Sequence, residues 1–194
     1  MRNGNKTKKQ LIEKLRELQQ KVTELEEEAV ELKEKAVKDS STGLFNRRYF
    51  VEIIPGEISR AERNKFSVGF MMIDVNRFKK VNDSLGHQVG DELLKQVAGV
   101  LQEQAREMDI VIRWGGDEFL IVLPQIGNGL MLVVERLRKA MEKWNLSDTG
   151  INFSITLSIG TSIWDPKEPE DIEIIIDKAD KAMYEEKRRE CSSR

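Results

Sequence analysis

Two runs of β-forming residues, Ile110-Val111-Ile112 and Phe119-Leu120-Ile121-Val122-Leu123, are separated only by Arg113-Trp114-Gly115-Gly116-Asp117-Glu118. So short a connection leaves the runs one arrangement: they fold back on each other as an antiparallel hairpin. The two glycines supply the positive φ that a tight turn needs. Asp117 and Glu118 need no special explanation in such a turn, where carboxylates are readily solvated. Their meaning depends on what the rest of the chain brings beside them.

The periodicities around the hairpin set the fold. Residues 66–75 read as a strand with a mostly apolar end, Gly69-Phe70-Met71-Met72-Ile73, that stops at Asp74. From Gly90-Asp91 the apolar residues Leu93, Leu94, Val97, Val100, Leu101 and Ala105 recur at helical spacing, and Leu130 to Trp144 do the same. Residues 151–163 alternate strictly, as a strand buried on one side does, and Pro169 is expected to open a last helix. Ahead of the first strand, Tyr49, Phe50, Ile53 and Ile54 form a helical pattern that Pro55-Gly56 should kink or split. From residue 66 the order is β-α-β-β-α-β with a helix on each side: an α+β, ferredoxin-like split-βαβ domain with a central antiparallel sheet. In that topology the third strand lies between the first two and antiparallel to both. Asp74 then meets Asp117 and Glu118 at one sheet edge.

The first 38 residues are a different kind of sequence, rich in Glu and Lys and free of aromatics and proline. Leu11, Leu18, Leu25 and Leu32 take the d positions of a heptad repeat, and Leu15, Val22, Ala29 and Ala36 the a positions. Leucine at every d favours two parallel strands, and in that register Lys21 faces Glu26 of a partner while Glu28 faces Lys33. A coiled-coil homodimer is therefore expected over 1–38, the alternative being a lone amphipathic helix. The expected division is 1–38 coiled coil, 39–190 catalytic domain and 191–194 tail, with Asp39-Ser40-Ser41-Thr42-Gly43 as the linker or cap.

Composition narrows the chemistry. Thirty-two basic and 34 acidic residues leave a net charge of −2, which gives no global attraction to nucleic acid or an acidic membrane. No run approaches the ~18 apolar residues of a membrane span, so a soluble chain is expected. The lone Cys191 suits a reducing, cytoplasmic location. One histidine, His87, excludes a multi-histidine metal site, and its place in Gly86-His87-Gln88-Val89-Gly90 suggests that it organises a loop. Converging carboxylates must share protons or hold a cation, and an all-oxygen donor set suits Mg²⁺ (or Mn²⁺). Such an ion is usually completed by substrate phosphates, which points to nucleotide chemistry; Asp74 alone would equally serve as a strand-end cap. Lys79, in a loop five residues after Asp74, is placed to meet phosphates, the alternative being a merely solvated loop lysine. Asn82 and Asp91 offer the acceptors that a guanine edge requires, though Asp91 could instead cap a helix.

These residues resemble the GGDEF domains, diguanylate cyclases that condense two GTP into cyclic di-GMP with loss of two pyrophosphates. The resemblance covers about 39–190. It rests on Arg113 to Phe119 together with Thr42-Gly43-Leu44-Phe45-Asn46-Arg47-Arg48, Asp74 to Lys79, Asn82-Asp83, Gly86-His87, Gly90-Asp91 and Ala179-Asp180 to Ala182-Met183-Tyr184. It implies a fold like that of nucleotide cyclases and polymerase palms. It further implies metal ligation by Asp74, Asp117 and the Val75 carbonyl. Glu118 would bind metal or activate a 3′-hydroxyl, and Gly115 and Gly116 would let phosphates approach. Lys79 and Lys187 would bind phosphate, and Asn82 and Asp91 would read guanine. Each domain would hold one GTP, so catalysis would need a face-to-face homodimer. Arg106-Glu107-Met108-Asp109, with Arg136, would form an inhibitory site for the product, the alternative being a surface ion pair. The pattern departs from the family at Asn76, where aspartate is common, at Ser41, where leucine is usual, and at Glu190-Cys191, where Gly-Arg is usual. A catalytically silent GGDEF domain that only binds cyclic di-GMP or GTP is a second function such a chain could serve, and a structural dimerisation module, which would leave the carboxylates unexplained, is a third.

Overall fold

The computed structural model describes residues 3–147 and 151–192, so Met1, Arg2 and the last two residues of the expected tail lie outside it. The chain divides into two compact units at the step from Val37 to Lys38. The first is a single helix, α1 (Asn3–Val37). Its leucines at the d positions are exposed: Leu11 is 65% exposed and Leu25 55%.

The second unit contains β1 (Phe45–Asn46), α2 (Arg47–Asn64), β2 (Val68–Val75), α3 (Phe78–Leu85), α4 (His87–Gln104), β3 (Ile110–Gly115), β4 (Glu118–Pro124), α5 (Leu130–Asn145), β5 (Leu157–Trp164) and α6 (Ile172–Ser192). The five strands form one mixed sheet in the order β1-β3-β4-β2-β5. As the hairpin and strand order required, β4 lies between β3 and β2 and runs antiparallel to both. β1 pairs parallel with β3 and makes the sheet mixed. Two residues are too few to leave a periodic signal, so the sequence did not reveal it.

Helices cover both faces of the sheet. Residues of α4 and α5, among them Leu93, Leu94, Val97, Leu137 and Met141, pack with Met71, Ile73, Phe119 and Ile121. On the other face Phe50, Ile54 and Ala61 of α2 and Ile175, Ala179 and Met183 of α6 pack with Phe70, Met72, Leu120 and Val122. β2 is thus covered above and below and flanked on both edges. All eight of its residues are buried, which is why it reads as a continuous apolar run rather than an alternation.

Four expectations need correction. Helix α2 runs unbroken through Pro55, because Phe50 and Ile54 before it and Ala61 after it are buried together on one side. That packing holds the helix across the hydrogen bond that proline cannot make. Lys79, expected in a loop, lies in the short helix α3, and α4 begins at His87 rather than at Gly90-Asp91. The final strand begins only at Leu157: the Asn145 carboxamide takes both the N–H and the carbonyl of Ile155, at 2.8 and 2.7 Å. Those backbone groups are then no longer available to a sheet. Finally, α6 starts at Ile172, three residues past Pro169. Among the described residues no helix is long and apolar enough to cross a membrane.

Candidate active site

The alternation of the strands decides which side chains reach the end of the sheet. On β2, Val68, Phe70 and Met72 face α2 and α6, so the period of two carries Asp74 to that face as well. On β4, Leu120 and Val122 face the same way, which places Glu118 there too. The register sets Asp74 directly opposite Glu118, and the Val75 N–H donates to the Asp117 carbonyl at 3.1 Å. The convergence expected from topology is present.

Helix α6 supplies the cation. Its buried stripe, Ile175, Ala179 and Met183, steps by four residues, and the next step is Lys187. The Lys187 ammonium donates to Asp74 Oδ2 at 2.6 Å. The turn before β4 is held from beneath. Arg113 donates to the Gly116 carbonyl through Nε at 3.2 Å and Nη2 at 2.7 Å, and through Nη1 to Asp39 Oδ1 at 3.0 Å. Asp39 also accepts from the N–H and hydroxyl of Thr42. These bonds and Arg113 hold its pKa below the usual carboxylate value against the opposing effect of burial. Gly116 has φ of 55°, and a Cβ at either Gly115 or Gly116 would meet nothing within 4 Å. The space over the turn is open to a ligand.

The electrostatics are those of an anionic site short of positive charge. Burial, then the charge of Asp74, raises the pKa of Asp117. Burial raises Glu118 as well, reinforced by Asp74, Asp180 and Asp117. For Lys187 burial works downward, but the hydrogen bond to Asp74 and the charges of Asp74, Asp117 and Glu118 prevail and raise it. Asp74 Oδ1 is buried with no hydrogen-bond partner. An orphaned carboxylate oxygen beside two carboxylates that resist ionisation fits a divalent cation with oxygen ligands. Asp74, Asp117 and the Val75 carbonyl are the oxygen donors that the family resemblance would assign to such an ion. The three side-chain carboxylates do not form a closed cage, since among the described residues no group of three or more acidic, His or Cys side chains is arranged as one. Ligands from a bound phosphate would complete such a site.

The pKa shifts carry a sign. The folded chain keeps protons on Asp117 and Glu118 at pH values where the unfolded chain has lost them, so this contribution to stability falls as pH rises through the carboxylate range. Metal-free Asp117→Asn is therefore expected to unfold at a higher temperature than wild type at pH 7. The gap should close below the ordinary aspartate value of 3.8, and Mg²⁺ should raise the Tm of wild type alone. Calorimetry with and without chelator checks this.

The remaining predicted residues fall at two other places. Lys79 is exposed in the first turn of α3 rather than in a loop. Asn82 lies on the same helix and overhangs Gly90, where a Cβ would collide with its Oδ1; that oxygen is buried without a partner. Asp91 is the next residue of α4, exposed and inside the helix, so it is not the cap. At the far end of α4, Asp109 Oδ2 accepts from the Arg106 N–H at 2.7 Å, which makes Arg-x-x-Asp a closed turn. Arg136 of α5 donates to the Gln104 carbonyl, and its Nε is buried without a partner, so it reaches the same end of α4.

Three contributors had not been picked out from the sequence. Arg113 braces the turn, Asp180 adds negative charge to Glu118, and Glu186 accepts from the Ile159 N–H at 3.1 Å while pairing with Arg138 at 2.6 Å. The stripe of α6, extended by one turn beyond Met183, would have pointed to Glu186. The Ser41 hydroxyl is buried without a partner, and nothing in the structure explains that choice.

Comparison with known proteins bears on this geometry. A family profile described as "Diguanylate cyclase, GGDEF domain" matches residues 36–193. Diguanylate cyclase DosC of Escherichia coli strain K12 is 39% identical over 153 residues, covering 78% of this chain and 33% of DosC. The chain thus spans about a third of the length of that relative. Among solved structures, the coiled coil and GGDEF domain of DgcB from Caulobacter crescentus, in complex with c-di-GMP, superimposes with a TM-score of 0.83 at 27% identity. The match covers 92% of this chain and 94% of that one. The diguanylate cyclase SiaD from Pseudomonas aeruginosa, solved with its activator SiaC, gives 0.73 at 32% identity, covering 96% of this chain and 72% of that one.

Proposed function

From its membership of the GGDEF family, to which this chain belongs, and from the site above, we propose that it is a diguanylate cyclase that condenses two GTP into cyclic di-GMP and two pyrophosphates. The observation that carries the reading is the register pairing of Asp74 with Glu118 beneath Lys187, beside a glycine turn whose outer face is open. Mg²⁺ or Mn²⁺ bound there would polarise a phosphoryl oxygen and lower the pKa of a nearby hydroxyl.

The protein's own groups have distinct tasks. Asp74, Asp117 and the Val75 carbonyl hold the cation, and Gly115 and Gly116 admit the triphosphate. Lys187 and Lys79 balance phosphate charge. Glu118, whose raised pKa comes from burial and three neighbouring acids, takes the proton from the attacking 3′-hydroxyl. Asn82 and Asp91 read the guanine. Gly90 leaves room for the Asn82 carboxamide, so Gly90→Ala is expected to raise KM for GTP several-fold while shifting Tm little, because a flexible side chain yields before backbone does. Steady-state kinetics beside thermal unfolding checks it.

One domain presents one GTP, so the reaction needs two copies. The exposed seam of α1 supports the parallel coiled-coil homodimer that would bring them together, raising the effective concentration of one domain for the other. We place the reaction in the cytoplasm, in keeping with the lone cysteine. Arg106, Asp109 and Arg136, gathered at one end of α4, support product inhibition. Arg106→Ala is expected to leave turnover near wild type and to weaken inhibition by added cyclic di-GMP about tenfold or more, on the scale of one lost charge-assisted contact.

Incubation with GTP and Mg²⁺ followed by chromatography tests the main reading. Cyclic di-GMP is expected to accumulate. Tight binding of cyclic di-GMP or GTP without turnover would favour a silent receptor domain instead.

A further inference from the structure

Asn76 and Glu190, two positions at which the sequence departs from the family pattern, are 114 residues apart and bonded to each other. The Asn76 carboxamide is 6% exposed. Its Nδ2 donates to Glu190 Oε2 at 2.8 Å and to the Thr156 hydroxyl at 3.1 Å, and its Oδ1 accepts from the Ser158 hydroxyl at 3.0 Å. Its backbone N–H donates to the Thr156 carbonyl at 2.9 Å, and the Thr156 hydroxyl donates to Glu190 Oε2 at 3.0 Å. Both amide hydrogens and the amide oxygen are therefore used.

This pattern selects the side chain. A carboxylate at position 76 has no hydrogens to give and would set one negative charge against another at hydrogen-bond distance in a buried setting. The neutral amide at 76 and the acid at 190 are complementary, and the acid at 190 requires a donor rather than a second acid at 76.

The location gives the pair a consequence. Asn76 lies two residues beyond Asp74, just past the end of β2 at Val75, and Glu190 lies three residues beyond Lys187, on the same side of α6. The last turn of a helix ordinarily frays. Here it is tied to the strand end that carries Asp74, so Lys187 is held between the buried stripe ending at Met183 and the anchored Glu190. We propose that Asn76, Thr156 and Glu190 form a clasp that positions Lys187 over Asp74, with Asn76 and Glu190 acting as a matched pair. They are positioning residues and touch no substrate. The functional half of the inference rests on Lys187 serving the phosphates of GTP; the structural half does not.

The test is a double-mutant cycle on the full chain: wild type, Asn76→Asp, Glu190→Gln and the double variant. Hydrogen exchange of the backbone at 184–192, without nucleotide or metal, reads the clasp directly. Asn76→Asp is expected to speed exchange there about tenfold, with little change in the core strands. KM for GTP should rise about tenfold, as loss of a supporting group does, with a smaller change in kcat. Glu190→Gln alone should be mild, since a carboxamide still accepts from Asn76. In the double variant the new amide donates to the new carboxylate, and both readouts should return to within about threefold of wild type. Wild-type exchange in Asn76→Asp, or a defect that Glu190→Gln fails to relieve, overturns the clasp. Faster exchange with unchanged KM overturns the positioning role. A wild type that makes no cyclic di-GMP overturns the cyclase reading and leaves the exchange cycle to decide the clasp by itself.

Discussion

Asp74→Asn is expected to lower turnover of GTP to cyclic di-GMP by about two to three orders of magnitude, the scale on which one preorganised charged group contributes to a reaction. The size follows from where Asp74 sits. It is 3% exposed, one oxygen is engaged by Lys187, and the other is buried without a partner. The neutral amide keeps the shape but removes the charge that both Lys187 and a divalent cation answer to. Burial still raises Asp117 and Glu118, but the added repulsion from Asp74 is relieved. The same variant also loses the ion pair with Lys187, so the Mg²⁺ response is the readout: its Tm should gain nothing from Mg²⁺. Single-turnover kinetics beside thermal unfolding separates lost chemistry from lost fold.

Gly160→Ala is expected to cost stability rather than chemistry first, by about 3 kcal/mol or more, at the upper end of overpacking effects. A Cβ at Gly160 would overlap the carbonyl oxygen of Ala179 and the backbone nitrogen of Met183, and would stand 2.8 Å from Met183 Cα. These are backbone atoms of α6, so no rotamer change relieves the clash and the helix must move away from β5. Lys187, one turn beyond Met183, moves with it. Denaturant unfolding should show the lower midpoint, and protein that remains folded should bind GTP more weakly. Near-wild-type stability would mean that α6 does not lie against β5 as described.

How far the sequence carried the fold depended on the kind of signal. The hairpin and the strand order were legible because Gly115-Gly116 between two apolar runs permits one geometry. The pairing of Asp74 with Glu118 follows from that order. Helix α3 was not legible: its eight residues include Lys79, Lys80, Asn82, Asp83 and Ser84, too polar and too few for a periodic stripe. The start of β5 was misplaced because alternation in 151–156 is real in the sequence, yet the backbone of Ile155 is bound by Asn145, ten residues earlier. Pro55 misled in the opposite sense, since local propensity favours a break and packing of α2 overrides it. At the site, the acids and glycines were found from spacing and Lys187 through the family resemblance. The Arg113 brace and the link between Asn76 and Glu190 join residues far apart in sequence, which no local pattern encodes.

The central claim is that the carboxylates at this sheet edge carry phosphoryl transfer between two GTP. The most direct measurement is the product balance of wild type and Asp117→Ala after incubation with GTP and Mg²⁺, with nucleotide and pyrophosphate both quantified. One cyclic di-GMP and two pyrophosphates for every two GTP consumed by wild type, and almost none from the variant, is the expected result. GTP left intact by wild type, or an undiminished yield from Asp117→Ala, would contradict it.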